Sequence, residues 1–278
     1  MVDSVMSDHF HAFSFVDRIL SDEVGSRIVG EYEIPASIDS FPLSLVSESI
    51  GQCAAMSAMK SVDFQFRPVA GIAGAVDFCG EVKPGQTLRL EADVVKADEE
   101  AVGYGGVAKV DGEPIVRLHD CLGPMVGMAD FDDPEAVRGR YDLLRSDGAE
   151  TGAFSGVPEF SFAITSLVEG ESAEAEFTIP ESADFFGDHF PRNPVFPGTL
   201  LMDLNLRLVS VLAETIPEEG NWKATGMNSV KLRAFMPPGE ALSLQAKVEE
   251  IEGDKATVFV QSRKGKRRNS GARILLTR

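Results

Sequence analysis

The chain has 278 residues, about two domains of ordinary size, and its 44% hydrophobic content is enough for a large core. Its 26 Lys and Arg against 44 Asp and Glu leave a net charge of −18, a poor match to nucleic-acid phosphates or to an anionic membrane surface. No apolar run approaches the roughly 20 residues that cross a bilayer, and Met1–His11 lacks the basic start and apolar stretch of a secretory leader, so a cytoplasmic protein without a membrane span is expected. In chain order, alternating segments at Phe13–Leu20 and Arg27–Ile34 predict half-buried antiparallel strands. Pro42 then opens an apolar, small-residue stretch, Leu43–Met59, that reads as a buried helix. Strand-like runs follow at Ala75–Val82, Thr87–Lys96, Val102–Val110 and Pro114–Leu122. Met128–Gly156 has no long apolar run and reads as a linker, with a short helix over Pro134–Leu144.

The same series then starts again. Strands are predicted at Phe160–Leu167 and Ala173–Ile179, a helix at Thr199–Glu214 behind Pro197, and strands at Ser229–Met236, Leu242–Ile251, Lys255–Ser262 and Ser270–Thr277. Four local matches support a repeat, at offsets of 147, 145, 155 and 154. They pair Phe13-Ser14-Phe15 with Phe160-Ser161-Phe162, Glu31–Pro35 with Glu176–Pro180, Phe41–Leu45 with Phe196–Leu200, and Val82–Leu90 with Met236–Leu244. The Pro-Gly pairs at 84–85 and 238–239 fit turns between strands. The expected organisation is a first unit over residues 1–127, a linker over 128–156 and a second unit over 157–278. One long helix followed by antiparallel strands makes each unit α+β, with a sheet wrapped around a central helix.

The segment richest in chemistry is Phe185-Phe186-Gly187-Asp188-His189-Phe190-Pro191-Arg192-Asn193-Pro194-Val195-Phe196-Pro197-Gly198-Thr199-Leu200-Leu201-Met202-Asp203. Pro191, Pro194 and Pro197 stiffen a loop that can hold one ionisable side chain in a fixed pose. That side chain is His189, whose ordinary pKa near neutrality suits proton abstraction. Gly198 opens the helix, so its backbone N–H is an unpaired donor at the positive end of the helix dipole, suited to an oxygen gaining negative charge. From Pro180 to Asp203 is a step of 23 positions and from Pro35 to Glu48 only 13, so the first unit lacks the ten residues that would carry a His loop. It keeps a carboxylate at the matching helix position, Glu48, with Gln52 one turn on and on the same face. The second unit has Asp203 and Arg207 there, read as an i,i+4 ion pair.

The 185–203 segment resembles the signature FFxGHFPxxPxxPGxLxxE/D of the β-hydroxyacyl-acyl carrier protein dehydratases, which have the hot-dog fold. It departs from that pattern at Asp188, where the family commonly has Gly. The resemblance implies a tandem double hot-dog chain whose two repeats stand in for the two subunits of the family's dimer. It implies elimination of water from a β-hydroxyacyl thioester, with the acyl group on an acyl carrier protein or coenzyme A and without metal or organic cofactor. His189 would take the α proton, the Gly198 N–H would bind the thioester oxygen, and Glu48, held by Gln52, would serve the departing hydroxyl. Phe190, Pro197 and Thr199 would contact the substrate. Asp203 is the alternative acid, serving His189 from its own repeat; otherwise the second site is dead and each chain has one active site. An acyl thioesterase and a non-catalytic acyl-binding protein are competing readings on the same fold.

Other features are plainer. Cys53, Cys79 and Cys121 are widely spaced, which argues against a disulfide framework or a zinc site. Arg263–Arg268 is the one basic run, either a solvated hairpin turn or a docking surface for an acidic carrier. His9, His11 and His119 have no partners at informative spacings, and Cys53 and Met56 are expected in the core or lining an acyl tunnel. Exposed sheet edges leave room for a further homodimer of the intrachain pseudo-dimer.

Overall fold

Strands dominate the computed structural model, which describes residues 9–216 and 221–278. The leader features weighed over residues 1–11 fall mostly on residues 1–8, outside the described residues. The first half contains β1 (Arg18–Glu23), β2 (Arg27–Glu33), helix α1 (Leu43–Ser61), β3 (Phe66–Pro68), β4 (Ile72–Phe78), β5 (Thr87–Ala97), β6 (Ala101–Val110) and β7 (Glu113–Gly127). Helix α2 (Pro134–Arg145) follows, then β8 (Ala163–Val168), β9 (Ser172–Thr178), helix α3 (Gly198–Ala213), β10 (Lys223–Leu232), β11 (Ala241–Glu252), β12 (Lys255–Lys264) and β13 (Arg267–Thr277).

The strands form one antiparallel sheet in the order β1-β2-β5-β6-β7-β4-β10-β13-β12-β11-β9-β8, with β3 paired to β7 beside it. From either edge inward the elements recur in the same order, and the halves meet where β4 pairs with β10, Val76 opposite Met227 and Ala73 opposite Val230. Period-2 burial explains the strands: β5 buries Leu88, Leu90, Ala92 and Val94, and β11 buries Leu242, Leu244 and Ala246. At the turns that the Pro-Gly pairs predict, Gly85 and Gly239 adopt φ of 83° and 77°.

The two long helices sit against the sheet, α1 on β2, β5, β6 and β7, and α3 on β9, β10, β11 and β12; they also touch each other. Helix α1 is rich in small residues, and its buried Ser47 and Ser49 satisfy their hydroxyls on the Leu43 and Leu45 carbonyls one turn back, at 3.0 and 2.9 Å. Small residues also bring it close to the sheet: a Cβ on Gly106 would come within 2.5 Å of Ile50 Cγ2.

Strand starts need correction. The first strand begins at Arg18, not Phe13, and β8 begins at Ala163, not Phe160. The backbone N–H groups of Phe13 and Phe15 are taken by side chains (Asp188 and Gln52), so that segment cannot join a ladder. The helix expected over Pro134–Leu144 is α2: Asp133 caps it, accepting from the N–H of Glu135 at 2.9 Å, and it buries Val137, Tyr141 and Leu144 against the first half. Tyr141 also donates to Asp22 at the end of β1, at 2.6 Å.

Candidate active site

Glu48 and Gln52 lie one turn apart on α1 and both face a cavity of about 280 Å³ between the halves. The Gln52 side-chain NH₂ donates to Glu48 Oε1 at 3.1 Å and to the Phe13 carbonyl at 3.0 Å, and its oxygen accepts from the Phe15 N–H at 2.8 Å. From the other half, the Thr199 hydroxyl donates to Glu48 Oε2 at 2.8 Å. Burial pushes the Glu48 carboxyl above the usual range, against the hydrogen bonds from Thr199 and Gln52 and the nearby Arg67 charge.

His189 faces the same cavity from the loop before α3. A short 3-10 turn over Asp184–Gly187 ends with the His189 N–H bonded to the Phe185 carbonyl at 2.7 Å. The ring Nδ1 lies 2.9 Å from the Val195 carbonyl. A carbonyl only accepts, so Nδ1 carries the proton and Nε2 keeps its lone pair. Burial pushes the His189 pKa down to about 3 and the Arg67 charge adds to this, against the Val195 carbonyl. The imidazole is therefore neutral near pH 7, the form that accepts a proton.

Phe190 lines the cavity with a φ of 64°, packed against Phe131 and Phe235. Gly198 also lines it and starts α3, where no earlier turn supplies an acceptor for its N–H. A Cβ there would fall 2.2 Å from Leu232 Cδ1, so any side chain requires Leu232 or the helix start to move. Pro197 stands before the helix and does not line the cavity; its carbonyl accepts from the Leu201 N–H at 3.1 Å. The Thr199 hydroxyl, expected to contact the substrate, is engaged with Glu48. Asp203 does not reach the cavity. Its expected ion pair with Arg207 is absent among the described residues: the guanidinium lies over the Phe162 ring, 5.5 Å from its centroid. Burial raises the Asp203 pKa, opposed by the Arg207 charge.

These groups sit in a sequence with recognisable relatives. A family model described as ApeI-like, ApeI dehydratase, matches residues 165–272. The dehydratase FabZ of Geobacillus sp. (strain WCH70), a 3-hydroxyacyl-(acyl-carrier-protein) dehydratase, is 36% identical over 119 residues, which cover 38% of this chain and 80% of the relative. The chain belongs to the FabZ dehydratase family. The FabZ dehydratase of Ligilactobacillus salivarius is 31% identical over 93 residues, and there the match covers 33% of this chain and 66% of the relative. A MaoC-like dehydratase structure (TM-score 0.52, 12% identity, 92% of this chain and 98% of that one) and a 12:0-ACP thioesterase from Umbellularia californica (0.53, 10%, 90% and 93%) share the fold. At such identity the fold is all they show.

Beyond these polar groups the cavity wall is apolar, with Met56, Met59, Leu118, Met202, Met227 and Leu232 drawn from both halves. Cys53 is fully buried in α1 and belongs to the core, not the cavity. Among the described residues no three His, Cys, Asp or Glu side chains gather as metal ligands.

Sequence reasoning missed Arg67. It enters the cavity from β3, stacks 4.2 Å from the Phe190 ring centroid, and its Nη1 lies 2.8 Å from Asp132, while its Nε is buried without a hydrogen-bond partner. His9 Nε2 is 3.4 Å from the same Asp132. Burial works against the Asp132 charge, but His9 and Arg67 hold its carboxyl below the usual range. His119 also has a partner, Asp77 at 2.8 Å, on an exposed face, so neither histidine is the isolated group expected. The only sequence signal for Arg67 was a cation between Phe66 and Pro68, with no spacing to tie it to the His loop. The basic run forms the exposed β12–β13 turn, where Lys264 pairs with Glu240 at 2.7 Å.

Proposed function

We propose that the chain is a double hot-dog β-hydroxyacyl thioester dehydratase with one composite active site, whose repeats are residues 1–127 and 157–278, joined by 128–156. The observation that carries this reading is the shared cavity, in which His189 of one half faces Glu48 of the other, each held by its own hydrogen bonds. His189 Nε2 removes the α proton and the Cα electron pair forms the new C=C bond. The Gly198 N–H stabilises charge on the thioester oxygen. The Cβ–O bond breaks as Glu48 gives its proton to the leaving hydroxyl, and water departs. His189 is left protonated and Glu48 ionised, and proton exchange resets both. The raised Glu48 pKa and the lowered His189 pKa support this division of roles. The products are a trans-2-enoyl thioester and water.

The mirror position has Asp203 out of the cavity and no histidine, which supports a single site per chain. Both halves come from one chain, so further dimerisation through the free edges β1 and β8 is not needed to build it. The substrate is an acyl thioester on an acyl carrier protein or coenzyme A, with the chain along the methionine-lined wall.

The test follows loss of conjugated enoyl absorbance as a trans-2-enoyl thioester is hydrated, across several chain lengths. Wild type is expected to be active and His189→Ala inactive. Release of free thiol without change at the double bond would make the chain a thioesterase, and binding without either reaction would make it an acyl-binding protein.

A further inference from the structure

We infer that Asp188 is a positioning residue that sets both His189 and Glu48, by latching the segment at residues 9–15 of the first half beneath the His loop of the second. The inference rests on the roles proposed above for His189 and Glu48.

Asp188 is only 8% exposed. Its Oδ2 accepts from the Phe13 N–H at 2.7 Å, its Oδ1 accepts from the Phe10 N–H, and the Ala12 N–H points to the same carboxylate. Only an acceptor-only group suits several convergent N–H donors, and a charged one bonds them most strongly. Two lines of contact leave the latched segment. Through the backbone, the Phe13 carbonyl and the Phe15 N–H hold the two ends of the Gln52 amide, at 3.0 and 2.8 Å, and Gln52 in turn donates to Glu48. Through the side chain, the Phe13 ring stands edge-on to the His189 imidazole, 5.5 Å between centroids, and covers it from water. One carboxylate next to His189 therefore reaches the acid on the opposite helix.

A glycine at this position leaves the Phe10, Ala12 and Phe13 N–H groups without their acceptor, which a buried segment does not tolerate in place. The segment then lifts, Gln52 loses two of its three partners, and His189 loses its cover. Of the charged groups that face this region, Arg140 of α2 near Asp188 and Arg67 of β3 near His189 lie outside the segment and keep their places, whereas His9 lifts with it.

The experiment compares the full-length wild type with Asp188→Gly and Asp188→Asn. Steady-state hydration kinetics are combined with NMR titration of the His189 ring. In Asp188→Gly kcat is expected to fall about 100-fold, the size of a roughly 1 Å misplacement of catalytic groups, with KM changed by less than about threefold. The His189 ring is expected to stay neutral at pH 5 in wild type and to titrate above pH 5 in the variant, toward the ordinary value near 6.5. A folded Asp188→Gly with wild-type kcat and a neutral His189 at pH 5 overturns the proposal. If Asp188→Gly does not fold, Asp188→Asn decides, since it keeps one acceptor oxygen but turns an NH₂ toward another N–H. It should lose about tenfold in kcat and shift His189 the same way, and wild-type values for it overturn the proposal. The titration needs no substrate, so an inactive wild type refutes the dehydratase reading while the latch is still tested.

Discussion

Glu48 and Asp203 hold matching positions on α1 and α3 and burial raises the pKa of both, yet their access to the cavity and their hydrogen bonds differ. Glu48 faces the cavity and takes hydrogen bonds from Thr199 and Gln52. Asp203 is outside the cavity, and the residue one turn on, Arg207, is turned onto Phe162. The entries to the helices differ in the opposite sense: Pro42 leads directly into α1, whereas α3 follows the proline-rich loop with His189. Each half holds what the other lacks. Among the described residues the half-buried Asp203 carboxyl has no hydrogen-bonding partner.

The strongest test of that contrast is kinetic. Glu48→Gln is expected to lower kcat/KM for a trans-2-enoyl thioester by about 1,000-fold, within the range of a lost general acid. Asp203→Asn should stay within about twofold of wild type, because Asp203 lies outside the cavity. If Asp203→Asn loses activity and Glu48→Gln keeps it, the site is built within one repeat and the composite arrangement is wrong.

Gly198→Ala comes next. The new methyl meets Leu232 Cδ1, 2.2 Å away, so either the wall or the first turn of α3 must shift. A displaced N–H should lower kcat by about 100-fold, and overpacking should cost about 1–3 kcal/mol of stability. Chemical denaturation and initial rates measure the two separately. A stability loss with unchanged kcat would remove the Gly198 N–H from the mechanism.

Thr199→Val probes Glu48 across the half–half boundary. Thr199 holds the Glu48 pKa down, so losing its hydrogen bond raises that pKa further. If Glu48 acts as the acid, activity falls as pH rises through its pKa, and the alkaline limb of kcat/KM moves to higher pH in the variant. The rate at the optimum should drop about tenfold. A limb that stays in place, or moves to lower pH, would mean that Glu48 is needed ionised.

The strand ladders and the turns were legible because period-2 burial and Pro-Gly pairs are local signals, as in β5 and at Gly85. The offset between repeats pointed to Glu48 as the residue opposite the His loop, and the structure brings both into one cavity. What escaped is long-range and aperiodic. Arg67, Asp132 and His9 come from three segments with no shared spacing and meet only after folding. Phe13–Leu20 alternates like a strand, but its first N–H groups are spent on Asp188 and Gln52. Arg207 has the spacing of an ion pair with Asp203, yet an aromatic face was available and took the guanidinium.

Asp203 also leaves a thermodynamic mark. Its folded-state pKa is raised by burial, so the native state binds a proton more tightly than the unfolded chain. That contribution is present below the unfolded pKa and is lost as pH rises through the raised one. Asp203→Asn removes the loss, so the variant should melt about 3 °C above wild type at pH 8, with the gap closing toward pH 4. Equal melting temperatures at pH 8 would show that Arg207 already compensates the buried charge.

The smallest effect tests the proposed carrier protein, taken as an acidic partner. With a net charge of −18, most of the surface repels such a partner, and the β12–β13 turn reverses the sign locally. Lys264 is paired with Glu240 and Arg268 lies over Phe259, so Lys266 and Arg267 are the exposed cations to change. Reversing both to Glu should raise KM for a carrier-protein-borne substrate by about threefold and leave kcat alone, as changes in rim charge act on encounter more than on chemistry. The same substrate on a short neutral pantetheine should show no change, since nothing remains for the turn to attract. Added salt should shrink the difference, because the Debye length falls from about 10 Å at 0.1 M to about 3 Å at 1 M. An equal KM shift with both carriers would place the effect in the cavity rather than on the docking surface, and would return the basic run to an ordinary hairpin turn.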